Sequence, residues 1–479
     1  MSGVAKRFAS AVPIADKIMM NKFKDFVYKW CKDNLTPLPA DSDCSVETWL
    51  KGTNYPLWRK KDLQNTWDNF DGQFWTKGKL NKYTFVKSFI KDESYTEYKH
   101  ARGINSRRDE FKVRVGPIFK LIEKEVFKSH WFIKYVPMKD RMRVIMEELH
   151  QEAATIAETD HSSFEAHFTP ELMECCEFVM YDYMTQNLPD REWINLVREA
   201  LGGINYCHFK WFIVEVLATR MSGEMCTSLG NGFTNLMVAL FMFDYKKCRS
   251  VKGKIEGDDG LFTFYGNGPT KSDFAKMGFT IKLEEHTNLT EASFCGILAD
   301  SVDMNVVTDP LVELVDFGWT KSQYAMASDK KLMALLRAKS MSMAYQYPGC
   351  PVIKSLARYG LRVTEGYQCY VRGFDNMWVR DQYSEASAYI RKFGVPDEKI
   401  GINTRLLVER KFGLSVEDQF RIERYLDNKH DLSPIKCAFT FDFPPAWVDF
   451  DSKYRIANKC KDWWDLTHPA FLPVGRRNR

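Results

Sequence analysis

The sequence predicts an α+β fold, with an antiparallel sheet flanked by helices and a mainly helical C-terminal part. Three observations point there. β-prone runs gather around turn residues between Val144 and Leu283, and helices open inside the same stretch on recognisable caps. Past about residue 306 the pattern turns helical, as in Lys330 to Tyr345 and Val416 to Leu426.

The first hundred residues are rich in Trp, Lys and Asn, break at Pro37, Pro39, Pro56 and Gly72, and show weak periodicity. From Val144 the signal sharpens. The apolar stretch Ala154 to Ala157 reads as a strand ending at Thr159-Asp160. Thr169-Pro170-Glu171 then opens a helix: Thr can cap, Pro fits the first helical position, and Glu suits the positive end of the dipole. Leu172, Cys176, Val179, Met180 and Tyr183 share one face of that helix. Ser222-Gly223 reads as a loop before a long helix reaching Tyr245. That helix carries Gly230 and Gly232, each costing roughly 1 kcal/mol relative to Ala. Something must approach that face closely, either another helix or strand, or a nucleic-acid backbone or ribose. Val251 to Glu256 and Leu261 to Tyr265 flank Gly257-Asp258-Asp259-Gly260, a hairpin on an Asp-Gly turn. A helix at Thr270 to Lys276 and a strand at Phe279 to Leu283 follow. Pro, Trp and Phe gather at Phe443 to Trp447 and Trp463-Trp464, before the basic tail Arg476-Arg477-Asn478-Arg479.

Composition narrows the classes. At 479 residues, 45% hydrophobic and 14% aromatic, the chain is folded rather than disordered and long enough for two or three lobes. No repeat or long Gly/Ser linker separates them. The net charge of +5, from 68 basic against 63 acidic residues, does not by itself announce nucleic acid. Basic residues do concentrate between Lys99 and Arg114 and between Lys128 and Arg143, as solvated helix faces or as the lining of a phosphate channel. The twelve cysteines form no CxxC pair, and no secretory leader is recognised, so buried thiols in a reducing compartment are expected. The longest apolar run, Leu236 to Phe243, is far shorter than the about 20 residues a bilayer span needs.

Three polar constellations then follow one another: Asp160 with Glu165; Ser222, Thr227 and Asn231; Asp258 with Asp259. Their order suits nucleotidyl transfer, which needs a nucleophilic 3′-hydroxyl, a neutralised triphosphate and a departing pyrophosphate. Two Mg2+ ions about 3.5 to 4 Å apart, held by carboxylates, do most of this. Asp160 at a strand end and Asp258 on a hairpin turn would be the paired ligands if their strands lie side by side, with Asp259 a further ligand or an orienter. The hydroxyl and amide groups of Ser222, Thr227 and Asn231 can tell ribose from deoxyribose, and Glu165 can reach a 2′-hydroxyl directly or through Ser222 and Asn231. The plainer alternatives are caps for Ser222, Thr227 and Asn231 and a first-turn helix acid for Glu165.

DHSSFEAH (Asp160 to His167), SGEMCTSLGN (Ser222 to Asn231) and EGDDG (Glu256 to Gly260) resemble motifs A, B and C of the RNA-dependent RNA polymerases of positive-strand RNA viruses. The likeness is closest to the tombusvirus-like and flavivirus-like groups. FIKYVPMKDRMRVI (Phe132 to Ile145) resembles the basic motif F, and SFCGIL (Ser293 to Leu298) motif E. The resemblance implies a right-hand architecture: fingers with fingertips and motif F over residues 1–155, palm with motif A over 156–180, a fingers insertion over 181–216, palm with motifs B to E over 217–305, and thumb with C-terminal tail over 306–479.

It also implies roles for particular residues. Asp160, Asp258 and Asp259 would be catalytic and hold two Mg2+ ions, for which Mn2+ can substitute. Arg143 would lie over the incoming triphosphate with Lys134, Lys139 and Arg141 nearby, since guanidinium stays charged and binds phosphate in a fork. A buried structural salt bridge is the competing reading for each. Glu165, Ser222, Thr227 and Asn231 would read the nucleotide sugar. Glu165 departs from the family pattern, where Asp is common, by one methylene. Lys282 and His286 both stand where a proton donor to pyrophosphate is expected, and a solvent-facing strand residue is the competing reading of Lys282. RNA template and product, ribonucleoside triphosphates and other viral replication proteins would be partners, in host cytoplasm at membrane-associated replication complexes. The rival readings are a reverse transcriptase on the same palm, disfavoured by Gly257 and the Glu165–Asn231 pair, and an inactive RNA-binding scaffold.

Overall fold

Short polar caps and buried apolar stripes set the N-terminal elements. In the computed structural model, helix α1 (Ser2–Phe8) is followed by α2 (Lys17–Asn34), whose cap Asp16 accepts from Met19 N at 2.9 Å. Met20, Phe23, Val27 and Cys31 form the buried stripe of α2 at helical spacing. Helices α3 (Val46–Lys51) and α4 (Leu57–Asp68) precede strands β1 (Phe85–Ile90) and β2 (Gly103–Arg107). Then come α5 (Asp109–Val126) and α6 (Met138–Leu149). The structure describes residues 2–8, 10–70, 85–91, 100–320, 324, 326–369, 377–433 and 435. Phe443 to Trp447, Trp463-Trp464 and Arg476 to Arg479 lie outside the described residues, as does Lys99.

Strand β3 (Thr155–His161) ends just beyond Asp160, and a 3-10 turn, Phe164–His167, carries Glu165. The helix expected from Thr169 starts as predicted: Thr169 Oγ1 accepts from Leu172 N at 3.2 Å, with Pro170 next. It is, however, two helices, α7 (Pro170–Cys175) and α8 (Glu177–Thr185). Cys176 breaks the run at φ −124°, ψ −81°, although the apolar face continues across the break. Helix α9 (Glu192–Gly202) leads into β4 (Ile204–His208) and β5 (Ile213–Leu217). Beyond the Ser222-Gly223 loop lies α10 (Thr227–Tyr245), then β6 (Arg249–Glu256) and β7 (Asp259–Tyr265). Helix α11 (Lys271–Lys276) opens on a reciprocal Thr270/Asp273 cap, and β8 (Ile281–His286) begins two residues later than the pattern suggested.

Short strands β9 (Leu298–Asp300) and β10 (Asn305–Val307) pair with each other. Among the described residues the remainder is mainly helical, as predicted: α12 (Pro310–Asp316), α13 (Asp329–Gln346), α14 (Ile353–Val363), α15 (Met377–Phe393), α16 (Ile402–Phe412) and α17 (Val416–Asp427).

The sheets divide the work. One, in the order β6-β7-β3-β8, is antiparallel throughout; the other, β2-β1-β4-β5, includes a parallel β1/β4 pair. Side chains alternate across β3, so Ala157 joins the largest core with α2, α5, α8 and α10, while Ile156 packs on the other face with Ile145 and Leu261. A separate core gathers Leu298 and Val307 of the β9/β10 pair with Leu356, Leu407 and Ile422 of the C-terminal helices. Among the described residues, no helix is long and apolar enough to cross a membrane.

Candidate active site

The hairpin is built by where glycine is needed. Strands β6 and β7 close on the pair Glu256↔Asp259, leaving Gly257 and Asp258 as a two-residue loop, and Gly257 has φ +63°. Gly at the first loop position supplies the positive φ that twisted hairpins require. The Asp-Gly turn expected at Asp259-Gly260 is therefore corrected by two residues: the loop is Gly257-Asp258, and Asp259 and Gly260 both belong to β7. Gly260 lies in β7, where a Cβ would sit 2.5 Å from Thr159 Oγ1, so it admits the neighbouring strand rather than making the turn. That close approach pairs Thr159 with Gly260 and sets Asp160 beside the acidic end of the hairpin.

The carboxylates feel one another. Burial raises the Asp258 pKa, with Asp160 and Glu165 adding to the shift and Arg7 opposing it. Asp259 is pushed up to about 6, by burial first and then by Asp258, with Asp160 and Glu256 contributing. A solvent-accessible group of mutually repelling carboxylates is a donor set for hard divalent cations, so the residues present fit such ions. Opposite Asp160 in the β3/β8 register stands Lys282, whose Nζ donates to Asp160 Oδ2 at 2.7 Å; that bond raises the lysine pKa. His286 is four residues further along β8, about 13 Å at the usual strand rise. It joins Glu158 and Glu284 instead. Among the described residues, the trio whose ligating atoms all lie within 4.8 Å of one another is Glu158, Glu284 and His286, not the three aspartates.

The basic residues separate as well. Arg141 donates to Glu256 Oε2 at 2.6 Å and is mostly buried, and Lys134 lies 3.7 Å from the same carboxylate, so both stand at the rim of the Gly257-Asp258 loop. Arg143 points to the exposed side of α6 and pairs with Glu147 at 3.2 Å, and Lys139 lies over the Tyr389 ring. Thr227 staples the preceding loop: its Oγ1 donates to Met221 O (3.0 Å) and accepts from Gly223 N (3.3 Å). Ser222 O accepts from Asn105 N at 2.7 Å, tying that loop to β2.

Two residues that sequence reasoning passed over hold these parts together. Asn235, one turn along α10 from Asn231, donates to Gly257 O (3.1 Å) and Asp259 O (3.2 Å), fixing the acidic loop. Its Oδ1 then faces His161 Nε2 at 3.2 Å, so that ring nitrogen donates. The buried guanidinium of Arg220 pairs with Glu177, and its Nε donates to Asn231 Oδ1 at 3.1 Å, while Arg220 N donates to Glu165 O at 3.1 Å. The close neighbour predicted for Gly230 is this ion pair: a Cβ there would meet Glu177 Oε2 and, at 2.6 Å, Arg220 Nη2. At Gly232 it is Phe132, at 3.3 Å. Protein side chains, not a nucleic acid, fill both places.

Burial lowers the His161 pKa to about 3 and also lowers that of His167. A folded pKa below the unfolded value of about 6.5 makes the His161 contribution complete above pH 6.5 and lost as pH falls from there toward about 3. Asp258 and Asp259, being raised, run the opposite way, so the comparison is with His161→Gln. The stability of the unaltered chain relative to that variant is expected to fall by about 1.4 kcal/mol per pH unit below 6.5, about 2 kcal/mol by pH 5. Urea midpoints measured from pH 7 to 5 test this, and parallel curves would count against a neutral buried imidazole.

Comparison with known proteins now decides the family. The pattern described as "Viral RNA dependent RNA polymerase" matches residues 81–432, most of the chain. The chain belongs to this family. Over 273 residues it is 23% identical to the RNA-directed RNA polymerase of Greasy grouper nervous necrosis virus, covering 51% of this chain and 27% of that protein. Over 235 residues it is 26% identical to the RNA-directed RNA polymerase of Oat chlorotic stunt virus, covering 44% and 31%. The match thus spans about a third or less of the length of these polymerases. All three motif regions fall inside the matched span, as do both four-stranded sheets.

Proposed function

We propose that the chain copies RNA from an RNA template, adding ribonucleoside triphosphates to a 3′ end and releasing pyrophosphate. The observation that carries this reading is the placement of Asp160 beside the Gly257-Asp258 loop across the β3/β7 pair. Asp160, Asp258 and Asp259 would hold two divalent cations, Mg2+ or in its place Mn2+. When bound, such ions supply neutralisation of the triphosphate and activation of the 3′-hydroxyl. Lys282, hydrogen-bonded to Asp160, would hand a proton to departing pyrophosphate; the alternative donor, His286, lies four residues further along β8 beside Glu158. Arg141 and Lys134 face the loop rim and would receive the triphosphate, with Lys139 and Arg143 further out on α6. Glu165, Ser222 and Asn231 would meet the ribose, and Thr227 would keep their loop in shape.

In this reading the β6-β7-β3-β8 sheet is the palm, the β2-β1-β4-β5 sheet with α6 belongs to the fingers, and the helices after β10 form the thumb. Other viral replication proteins and membrane-associated sites in host cytoplasm complete the proposal. The experiment uses purified chain, an RNA template, labelled ribonucleotides and Mg2+. Template-dependent incorporation that chelation stops is expected. Preferential use of deoxyribonucleotides would make the protein a reverse transcriptase, and metal-independent RNA binding with no incorporation would leave a scaffold.

A further inference from the structure

Glu165 carries a longer side chain than the aspartate its family commonly has at this place, and that extra methylene is extra freedom. Freedom weakens selection, because a hydroxyl acceptor must be fixed in place to discriminate. The structure restrains the residue at both ends, its main chain and its carboxylate. Arg220 N holds the Glu165 carbonyl at 3.1 Å, and Arg7 Nη1 donates to Glu165 Oε1 at 2.6 Å from helix α1, which is 158 residues away in sequence. Glu165 is 13% exposed and Arg7 28%, so the pair is sheltered enough to keep its geometry. Among the described residues, no hydrogen bond to Glu165 Oε2 is present, which leaves that oxygen to accept from a ligand.

Helix α1 is itself seated. Phe8 packs against the buried cluster of Val86, Cys207 and Met221, and Gly3 lies so close to the Ala101 carbonyl that no side chain would fit there. A narrow cleft between α1 and β2, lined by Gly3, Arg7, Gly103, Asn105 and Glu165, runs to the carboxylate. Asn105 in turn holds the Ser222 carbonyl, so the cleft joins the two segments that face the sugar.

We propose that Arg7 is a positioning residue that sets sugar specificity: it fixes Glu165 Oε1 so that Oε2 accepts the 2′-hydroxyl of the incoming ribonucleotide. This rests on the polymerase reading above. A deoxyribonucleotide leaves Oε2 without its donor, and an unanchored Glu165 turns away from either sugar alike. Arg7 therefore acts on the ratio between the two substrates rather than on the chemical step.

The test measures kcat/KM for matched ribo- and deoxyribonucleotides on one RNA template, in the unaltered chain, Arg7→Gln, Arg7→Lys and Glu165→Gln, with thermal transitions as a control on folding. In Arg7→Gln the ribose preference is expected to fall about tenfold, through a higher KM for the ribonucleotide and with kcat nearly kept. Arg7→Lys is expected to restore most of the preference, since an ammonium still anchors one oxygen. In the Glu165→Gln background, adding Arg7→Gln should change the ratio less than about twofold. An unchanged ratio in Arg7→Gln, an equal loss on both sugars, or the full tenfold effect without the Glu165 carboxylate would each overturn the proposal while polymerisation stands. Absence of template-directed synthesis by the unaltered chain would instead remove the reading on which it rests.

Discussion

Asp258→Asn is expected to lower RNA synthesis by at least about a thousandfold while leaving the fold intact, because it removes charge without volume. The loss corresponds to roughly 4 kcal/mol or more of transition-state stabilisation, the scale of taking one anionic ligand from a metal-assisted displacement. The structural consequences should be slight. Asp258 is the second residue of a two-residue loop whose shape depends on Gly257 and on the Asn235 bonds to Gly257 O and Asp259 O, none of which uses the Asp258 carboxylate. Its pKa is raised by burial and by the neighbouring acids, so the charge is a burden on the metal-free fold that the amide removes. Asp160→Asn should match the loss, and the double variant should add little, since in the proposed mechanism both side chains would serve one site. Single-nucleotide incorporation measured beside a thermal melt separates the outcomes. Near-normal incorporation by a folded Asp258→Asn protein would remove this residue from the chemistry.

Much of this arrangement was legible in the sequence, and what was legible was local. The Thr169-Pro170 start, the helix from Thr270 and the hairpin around Gly257 are each written within a few residues, because capping and turn chemistry act over that range. The turn lies two residues earlier than the Asp259-Gly260 pair suggests, since Gly257 and Gly260 both suit a loop and only the approach of Thr159 assigns Gly260 to the strand. The β2-β1-β4-β5 sheet was not foreseen as a unit. Its strands are five or six residues long, and β1 pairs with β4 across more than a hundred intervening residues. Arg7 and Arg220 carry no signal of their own. Each matters only through a partner that the fold brings from 158 or 43 positions away. Gly230 was the one visible trace of Arg220, as a glycine inside a helix where Ala would be favoured.

Arg220→Met should cost about 3 to 5 kcal/mol of stability, the largest such loss expected from a single substitution near the site. Arg220 and Glu177 are almost wholly buried and ion-paired, and Tyr181 Oη donates to Glu177 at 2.9 Å. Glu224, equally buried, takes Arg107 Nε at 2.5 Å and lies 3.6 Å from Arg220 Nη1. Two arginines and two glutamates thus balance in the interior. Removing one guanidinium strands a carboxylate where water cannot reach it, and the cost is that of an unpaired buried charge rather than of one lost bond. The diagnostic is therefore the double variant Arg220→Met/Glu177→Leu, which removes both charges and should recover most of the loss, whereas Glu177→Leu alone should not. Gly230→Ala should resemble the single variants, because its methyl group would enter the space of the same ion pair. Urea denaturation of the four proteins measures this. If the double variant were as unstable as Arg220→Met, packing of the guanidinium over the Phe168 ring would be the dominant contribution instead of charge balance. Stability and specificity meet at this residue. The Nε that holds Asn231 and the main-chain N–H that holds Glu165 belong to one arginine, so a refolded double variant should still discriminate sugars less well through loss of the Asn231 bond.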